Sequence, residues 1–196
     1  RWCPRIDLNV TVSERDRETL QGRIPDADFE VVPNGVDVDS FRPSDRETDG
    51  VVFVGGCTWF PNRDALTFFS EEILPRVRNG EPEVNVRWVG RADSELRRRY
   101  EERHGIEMPG YVDDIRPYVH SSSCYVVPIR VGGGSRLKIL DAWAMGKAVV
   151  STSQGCEGLD ARDGENILVR DEPDTFADAV ERVLTDAELR DALGRQ

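Results

Sequence analysis

Two cations follow a cluster of glycines in the second half of the sequence. The stretch GGGS (residues 132–135) precedes Arg136, and Lys138 lies two positions later, where apolar residues begin to recur at helical spacing. A helix that starts after Gly134 would offer unpaired N–H groups and the positive end of its dipole. Glycines let an anion approach such a backbone closely, and Arg and Lys add charged donors. The pattern predicts a phosphate or diphosphate site; the alternative is a flexible loop before two solvated cations.

A second glycine pair ends an apolar run. Gly55 and Gly56 follow residues 51–54, VVFV, and Asn62 is expected to cap the helix that comes next. The spacing matches neither the dinucleotide fingerprint G-x-G-x-x-G nor the P-loop G-x-x-x-x-G-K-[ST], so it indicates neither of those phosphate-binding motifs. The loop is either a second ligand loop or a plain connection between a strand and a helix.

One carboxylate shares the helix of the two cations. Asp141 lies three positions after Lys138 and four after Leu137. A carboxylate there could accept hydrogen bonds from sugar hydroxyls, or it could form a local ion pair with Lys138. Trp59 is expected to brace the first glycine loop, and Trp143 is expected in the core.

Strands and helices alternate regularly after Gly50. Buried-type apolar runs predict strands, and amphipathic stretches between them predict helices, one with Ala65, Phe68, Phe69 and Ile73 on one face. The predicted strands are residues 50–56, 84–90, 106–112, 124–130, 147–153 and 165–171. The predicted helices are residues 62–78, 94–105, 113–123, 173–186 and 187–194, together with the one that ends at Gly146. This order predicts an α/β fold with a doubly wound, Rossmann-like parallel sheet, whose ligands bind at the carboxyl ends of the strands.

The residues before Gly50 form a less regular segment. Residues 6–13 and the stretch from Phe29 predict short strands, and a polar helix between them has Ser13 as its expected N-cap. A turn at residues 34–35, Asn-Gly, and a charged linker follow. Near the other end, Asp174 is expected to cap the helix of residues 173–186.

Composition narrows the function classes. A net charge of -11 over 196 residues argues against a general nucleic-acid binder, and no apolar run is long enough to span a bilayer. The four cysteines, at positions 3, 57, 124 and 156, lack metal-ligand spacing and are expected as free thiols in a reducing cytoplasm. The only lysines are Lys138 and Lys147, so Arg dominates among the 26 basic residues. Abundant acid with little Lys fits a halophilic source, although a GC-rich genome also favours Arg.

These motifs together resemble the family 4 retaining glycosyltransferases, which have the two-domain architecture called GT-B. The matching segments are residues 31–43, 51–66, 110–130, 132–159 and 163–184. The resemblance implies that residues 1–40 are the end of an N-terminal domain plus a linker. It implies that residues 50–196 are the C-terminal domain that binds the nucleotide-sugar donor. A missing N-terminal domain would supply the acceptor site.

The chain departs from the usual family pattern at the glycosyl-donor site. Where the family has two Glu residues eight positions apart, this sequence has Gly133 and Asp141. Where the family often has Arg and Lys in the first loop, it has Gly56 and Asn62. A subgroup with the pattern GGG-[ST]-RLKILEA is more similar, and there the cations stand on the helix.

The resemblance assigns transfer of a sugar, of hexosyltransferase type and with retention, from a nucleotide diphosphate sugar. Arg136 and Lys138 are the expected catalytic cations, acting with the backbone amides of residues 135–138. The expected donor-binding residues are Gly55, Gly56, Arg91, Val112, Gly133, Gly134, Ser135, Leu137 and Asp141. Arg91 and the Val112 backbone would frame the base, and Asp141 would hold ribose or sugar hydroxyls. The nucleotide sugar is a substrate, and neither a metal nor a cofactor is expected.

The expected setting is the cytoplasm, with at most peripheral association at the inner face of the membrane, and no nucleic-acid partner. The chain by itself is expected to transfer nothing. Two other functional classes are alternatives to a glycosyltransferase. A non-catalytic nucleotide-binding module would explain the departures at Gly133 and Asp141. A sugar-nucleotide epimerase would need carboxylates and a His converging on the sugar, and the loops offer no such set.

Overall fold

A computed structural model describes residues 2–44 and 48–195, so part of the expected linker, residues 45–47, lies outside the described residues. The first part of the chain forms a small unit of its own. A 3-10 turn at Cys3–Arg5 leads into β1 (Asn9–Thr11), α1 (Glu14–Arg23) and β2 (Phe29–Val31). The strands β1 and β2 pair with each other in parallel, apart from the main sheet. Ser13 caps α1 as expected, because its hydroxyl oxygen accepts a hydrogen bond of 3.1 Å from the Asp16 amide.

The main sheet has six parallel strands in the order β5-β4-β3-β6-β7-β8. These strands are β3 (Val51–Val54), β4 (Val86–Val89), β5 (Ile106–Gly110), β6 (Cys124–Val127), β7 (Ala148–Ser151) and β8 (Leu168–Val169). The helices around it are α2 (Phe60–Phe68), α3 (Leu74–Gly80), α4 (Ser94–His104), α5 (Arg116–His120), α6 (Leu137–Ala144), α7 (Pro173–Thr185) and α8 (Ala187–Gly194). The α/β, doubly wound parallel fold is thus confirmed.

Strand order reverses between β3 and β6, which are neighbours at the centre of the sheet. The chain winds from β3 to β5 in one direction and from β6 to β8 in the other. A crevice opens at such a reversal, outside the carboxyl ends of the two central strands. The two glycine loops follow β3 and β6, so the topology places them on either side of this crevice. Below it, the buried rings of Phe53 and Trp88 stack with centroids 3.9 Å apart.

Two expected helix caps are wrong. The first helix of the main domain starts at Phe60, with Pro61 in its first turn, so Asn62 lies inside the helix instead of capping it. The last long helix starts at Pro173 after Glu172, which places Asp174 in its first turn. In both cases a proline occupies the start of the helix, where its fixed φ suits the first turn and its missing N–H costs nothing.

The helix predicted over residues 62–78 is interrupted. A π-helical turn, Phe69–Ile73, separates α2 from α3, and Pro75 follows within the first turn of α3. Proline has no N–H for the regular ladder and its ring crowds the preceding turn, and a π turn relieves both problems. The predicted apolar face is nevertheless confirmed, since Ala65, Phe68, Phe69 and Ile73 are all buried.

The helix of the two cations begins later than expected, at Leu137, with Arg136 as its N-cap. Gly132 and Gly134 have φ values of +98° and +85°, which hold the preceding loop out of helical conformation. At the other end of the helix, Gly146 has φ +68°. Its backbone amide donates to Trp143 O at 2.8 Å, and the backbone amide of Lys147 donates to Ala142 O at 2.9 Å. This paired arrangement is the Schellman motif, and it confirms Gly146 as the residue that ends the helix.

Candidate functional site

A cavity of about 260 Å³ lies at the carboxyl ends of β3, β4 and β5. Its lining brings together four of the expected site residues, Gly55, Gly56, Arg91 and Val112. Tyr111 also lines it, and the Arg91 guanidinium lies 4.8 Å from the Tyr111 ring centroid. The sequence prediction missed Tyr111, although its position directly after β5 was a usable signal.

The first glycine loop is packed too tightly for side chains. A Cβ on Gly55 would lie 2.7 Å from both the Lys138 ammonium nitrogen and the Asn62 amide nitrogen. A Cβ on Gly90, whose φ is +147°, would lie 2.5 Å from the carbonyl carbon of Gly55. The glycines therefore allow the ends of β3 and β4 to touch each other, and they allow Lys138 to approach from α6. Gly90 is a second residue that the sequence prediction missed.

Lys138 reaches under this loop. Its ammonium nitrogen donates to Asn62 Oδ1 at 3.1 Å and lies 4.0 Å from the centroid of the Phe53 ring. The residue as a whole retains some solvent contact, but its charged end is deeply enclosed by protein. Burial, and to a smaller extent the nearby Arg136, lowers the pKa of Lys138 to about 7. The ion pair with Asp141 that the sequence allowed does not form.

Arg136 is held inward, with only 5% of its surface exposed. Its Nη1 donates to the carbonyl oxygen of Gly133 at 2.7 Å, and its guanidinium lies 5.5 Å from the Trp59 ring centroid. Trp59 thus braces Arg136 from the first loop. Nε and Nη2 of Arg136 are buried and have no hydrogen-bond partner among the described residues, and burial lowers the pKa of the guanidinium. Unpaired buried donors are costly, so they mark the place where an acceptor would be most favourable.

The second glycine loop is tied to the N-terminal unit by a chain of polar contacts. Gln154 Nε2 donates at 2.6 Å to Gly132 O and at 2.6 Å to Glu157 Oε2. Glu157 also forms an ion pair with Arg15 of α1. Together with Gly133, Gly134 and Ser13, these acidic and basic side chains line a cavity of about 230 Å³. Sequence reasoning missed Gln154 and Glu157, because nothing local to residues 153–159 indicates which loop they meet.

The other expected residues lie around the start of α6. Leu137 is 51% exposed, whereas the buried hydroxyl of Ser135 forms no hydrogen bond with any described residue. Asp141 is half-buried, and burial raises the pKa of its carboxyl group. None of the salt bridges between described residues involves Arg136 or Lys138. The crevice thus holds two basic side chains that form no salt bridge with the described residues, although Glu157 acts on Arg136 from a longer distance. They lie beside loops whose glycines leave the backbone accessible, which suits a polyanionic ligand.

Residues 48–186 match the family model described as "Glycosyl transferases group 1". The chain belongs to this family of glycosyltransferases.

The comparisons with individual proteins agree with this assignment. The chain is 30% identical over 176 residues to a phosphatidyl-myo-inositol mannosyltransferase of Mycobacterium tuberculosis, covering 82% of this chain and 46% of that protein. It therefore spans less than half of that relative's length. The group 1 match favours the glycosyltransferase interpretation over the epimerase alternative.

Two solved structures show the same fold as this glycosyltransferase domain. The Anabaena protein Alr3699/HepE, crystallised with UDP and glucose, superposes with a TM-score of 0.77 at 15% identity, covering 96% of this chain and 56% of that one. The C-terminal domain of a group 1 glycosyltransferase, LpcC of Francisella tularensis, gives 0.65 at 18% identity, covering 82% and 93% respectively. The architecture is that of the C-terminal domain of a GT-B glycosyltransferase.

Within residues 2–44 and 48–195, no helix is long and apolar enough to cross a membrane. No group of three or more His, Cys, Asp or Glu side chains there is placed to hold a metal ion. All four cysteines are free thiols.

Proposed function

We propose that this chain is the donor-binding half of a retaining, family 4 glycosyltransferase that transfers a hexose from a nucleotide diphosphate sugar. The observation that carries the proposal is the pair of enclosed cations, Arg136 and Lys138, beside two glycine loops at the reversal of strand order. The other half of the enzyme supplies the acceptor site. Retention is inferred from the resemblance of residues 132–159 to the retaining family.

These residues would act mainly by electrostatic stabilisation of the leaving group. When the bond from the sugar to the diphosphate breaks, negative charge grows on the leaving oxygen. Donors already oriented in an enclosed site stabilise that charge without reorganisation. Lys138, the free donors of Arg136 and the amides at the start of α6 would share this task. They act without a metal in this proposal, because the side-chain cations and the helix dipole supply the positive charge.

The nucleoside is assigned to the cavity of about 260 Å³. Arg91 and Tyr111 form a stacked edge on which a base can lie, and the Val112 backbone can form hydrogen bonds to it. Asp141, Ser135 and Leu137 would contact ribose or sugar from α6. Since the Anabaena neighbour was crystallised with UDP and glucose, UDP is the first nucleotide to test.

Calorimetric titration of UDP into the chain tests the proposal. We expect weak but measurable binding, because half of a cleft supplies half of the contacts, and we expect the Arg136→Ala/Lys138→Ala variant to lose it. Arg98→Ala is the control, since Arg98 is exposed on α4 and its ion pair within the described ranges is the one with Glu102. If the double variant binds UDP, GDP and ADP as tightly as the parent chain does, the proposed diphosphate site is wrong.

Transfer itself needs the longer protein. We expect the chain of 196 residues to transfer nothing alone and the full-length protein to transfer sugar with retention. The non-catalytic module remains the second candidate, because Gly133 replaces the first carboxylate of the family pattern. A full-length protein that binds nucleotide sugars but transfers none to a panel of acceptors would favour that candidate. The free thiols fit the cytoplasmic setting, at most at the inner face of the membrane.

A further inference from the structure

Among the described residues, Asn62 is the only hydrogen-bond partner of the Lys138 ammonium group. The orientation of its amide is fixed by a second bond, in which Nδ2 donates to Gly56 O at 2.9 Å. The carbonyl oxygen Oδ1 must therefore face Lys138. The amide thus places the ammonium group beneath the first glycine loop, where Gly55 leaves room for it.

The surroundings of Lys138 orient its charge but do not neutralise it. The amide oxygen of Asn62 and the face of Phe53 are both neutral. Two titratable groups face the ammonium group from neighbouring segments, Arg136 before α6 and Cys57 after β3. Arg136 carries the same sign of charge. Burial raises the pKa of the Cys57 thiol to about 11, so that thiol stays neutral and gives no counter-charge.

We propose that Asn62 is a positioning residue that holds Lys138 without a counter-charge, so that diphosphate binding makes Lys138 take up a proton. The inference rests on the proposed function and assigns a proton-coupled step to the same site. The balance is simple: a neutral amine and one proton from the buffer become an ammonium group paired with the diphosphate. No bond in the nucleotide changes.

The direction of the pH dependence follows from burial and charge. Without ligand, the pKa of Lys138 is lowered to about 7, so above this pH the free protein is largely neutral there. A diphosphate beside the amine raises that pKa, because an opposite charge favours the protonated form. Between the free and bound values, binding takes up a proton. Affinity should then fall as pH rises, by up to about tenfold per pH unit when a whole proton is taken up.

The neutrality of Asn62 is the testable part of the arrangement. Asn62→Asp keeps the shape but gives Lys138 a permanent counter-charge. The amine would then be protonated before the ligand arrives, and part of its charge would already be compensated. We expect proton uptake to disappear and the affinity for UDP to fall about tenfold or more, since ~1.4 kcal/mol corresponds to a factor of ten.

The experiment is calorimetric titration of UDP between about pH 7.5 and 9, in buffers with different ionisation enthalpies. This range lies above the second pKa of a phosphate, which is about 6, so proton exchange by UDP itself contributes little. The parent chain should show buffer-dependent enthalpy that reports proton uptake. The Lys138→Arg variant should bind UDP without proton uptake, since the guanidinium group stays charged. Thermal melting of each variant checks that it is folded.

Magnetic resonance of the lysine side chains gives a direct second readout, because the chain has only Lys138 and Lys147. Lys147 donates to the carbonyls of His120 and Ser122, at the opposite end of the sheet, and serves as the internal control. UDP should raise the titration midpoint of Lys138 and leave that of Lys147 unchanged. If UDP binds with no proton uptake and no change at Lys138, this inference is wrong while the diphosphate site stands. If neither UDP, GDP nor ADP binds at any pH, the proposed function itself fails.

Discussion

The guanidinium of Arg136 donates a hydrogen bond of 2.7 Å to the carbonyl oxygen of Gly133, within the loop that precedes its own helix. The cation and the glycines are thus one local structure, in which the side chain closes the loop over itself. The remaining donors of Arg136, Nε and Nη2, are buried and have no partner in the part of the chain that the structure describes. A ligand that accepts hydrogen bonds from them would remove a cost already present in the free protein.

Arg136→Ala should therefore weaken nucleoside diphosphate binding about tenfold. A hydrogen bond to a charged group contributes about 1.5–3 kcal/mol when well formed, and partial exposure of the ligand reduces this. Titration calorimetry with UDP measures the effect, with Arg98→Ala as the matched surface control. In the full-length enzyme the loss should appear in kcat as well, because the leaving group gains charge in the transition state. If KM rises while kcat is unchanged, the interaction of Arg136 is already fully formed in the ground state.

Lys138→Met should stabilise the ligand-free chain at neutral pH while it weakens diphosphate binding. The folded-state pKa of about 7 lies below the ordinary value of 10.5, so between these values the unfolded chain binds more protons. The free energy of unfolding of the parent chain should then rise with pH across that window. Each unit of pKa difference is about 1.4 kcal/mol, so the gain from Lys138→Met should be a few kcal/mol near pH 7 and vanish near pH 10.

Urea unfolding at several pH values measures this, and Lys147→Met is the control. Lys147 is also buried, and burial lowers its pKa to about 8, but it donates to two backbone carbonyls at 2.8 and 2.9 Å. Its removal leaves those carbonyls unpaired, which costs about 1–3 kcal/mol and offsets the gain, so that variant should be stabilised less than Lys138→Met at pH 7. A Lys138→Met variant that is less stable than the parent at pH 7 would show that the ammonium group is not desolvated.

Gly133→Ala and Gly134→Ala should separate ligand approach from backbone strain. At neither position does an added Cβ come within 4 Å of an atom of the described residues, but of the two only Gly134 has a positive φ, of +85°. Gly134→Ala should lower the melting temperature, because an alanine there is strained. Gly133→Ala should melt like the parent chain and yet bind UDP less tightly if the diphosphate contacts this backbone. Unchanged binding by a folded Gly133→Ala variant would place the diphosphate elsewhere in the crevice.

Glu157→Gln should loosen the second glycine loop from α1. Glu157 accepts from Gln154 at 2.6 Å and pairs with Arg15, which joins the loop to the N-terminal unit. We expect faster hydrogen exchange in residues 132–136 and in α1, since the amide replaces a charge-assisted bond with a weaker one. Arg17→Gln is the control, because the ion pair of Arg17 with Glu14 lies within α1. Exchange that is unchanged in the loop would mean that the Gly132–Gln154 bond suffices to hold it.

Molar salt should stabilise the chain. Its net charge is -11, and crowded carboxylates repel one another more weakly once salt screens them. We expect the melting temperature to rise from low to molar potassium chloride. A flat or falling melting temperature would contradict a halophilic origin.

Hydrophobic patterning was sufficient to predict the strands of the main sheet and their parallel arrangement. Residues 51–54 and 124–127 are continuous apolar runs, and both are buried central strands. Such runs report burial on two faces, and the helices between them report the crossovers of a parallel sheet. Glycine signals were also local: Gly146 ends α6 because its own φ is positive. The caps at Asn62 and Asp174 were predicted wrongly because neighbouring prolines move the helix starts.

The sequence by itself determined the fold class, the two glycine loops and the presence of cations beside them, because these features depend on residues close together in the chain. Only the tertiary structure decided which side chains meet. Lys138 and its partner Asn62 are 76 positions apart, and Glu157 meets Arg15 from the far end of the chain. Such contacts depend on the order of strands in the sheet, which no local periodicity encodes. Desolvation also depends on tertiary structure: the pKa of Lys138 is lowered because β3, the loop after it and α2 enclose its ammonium group.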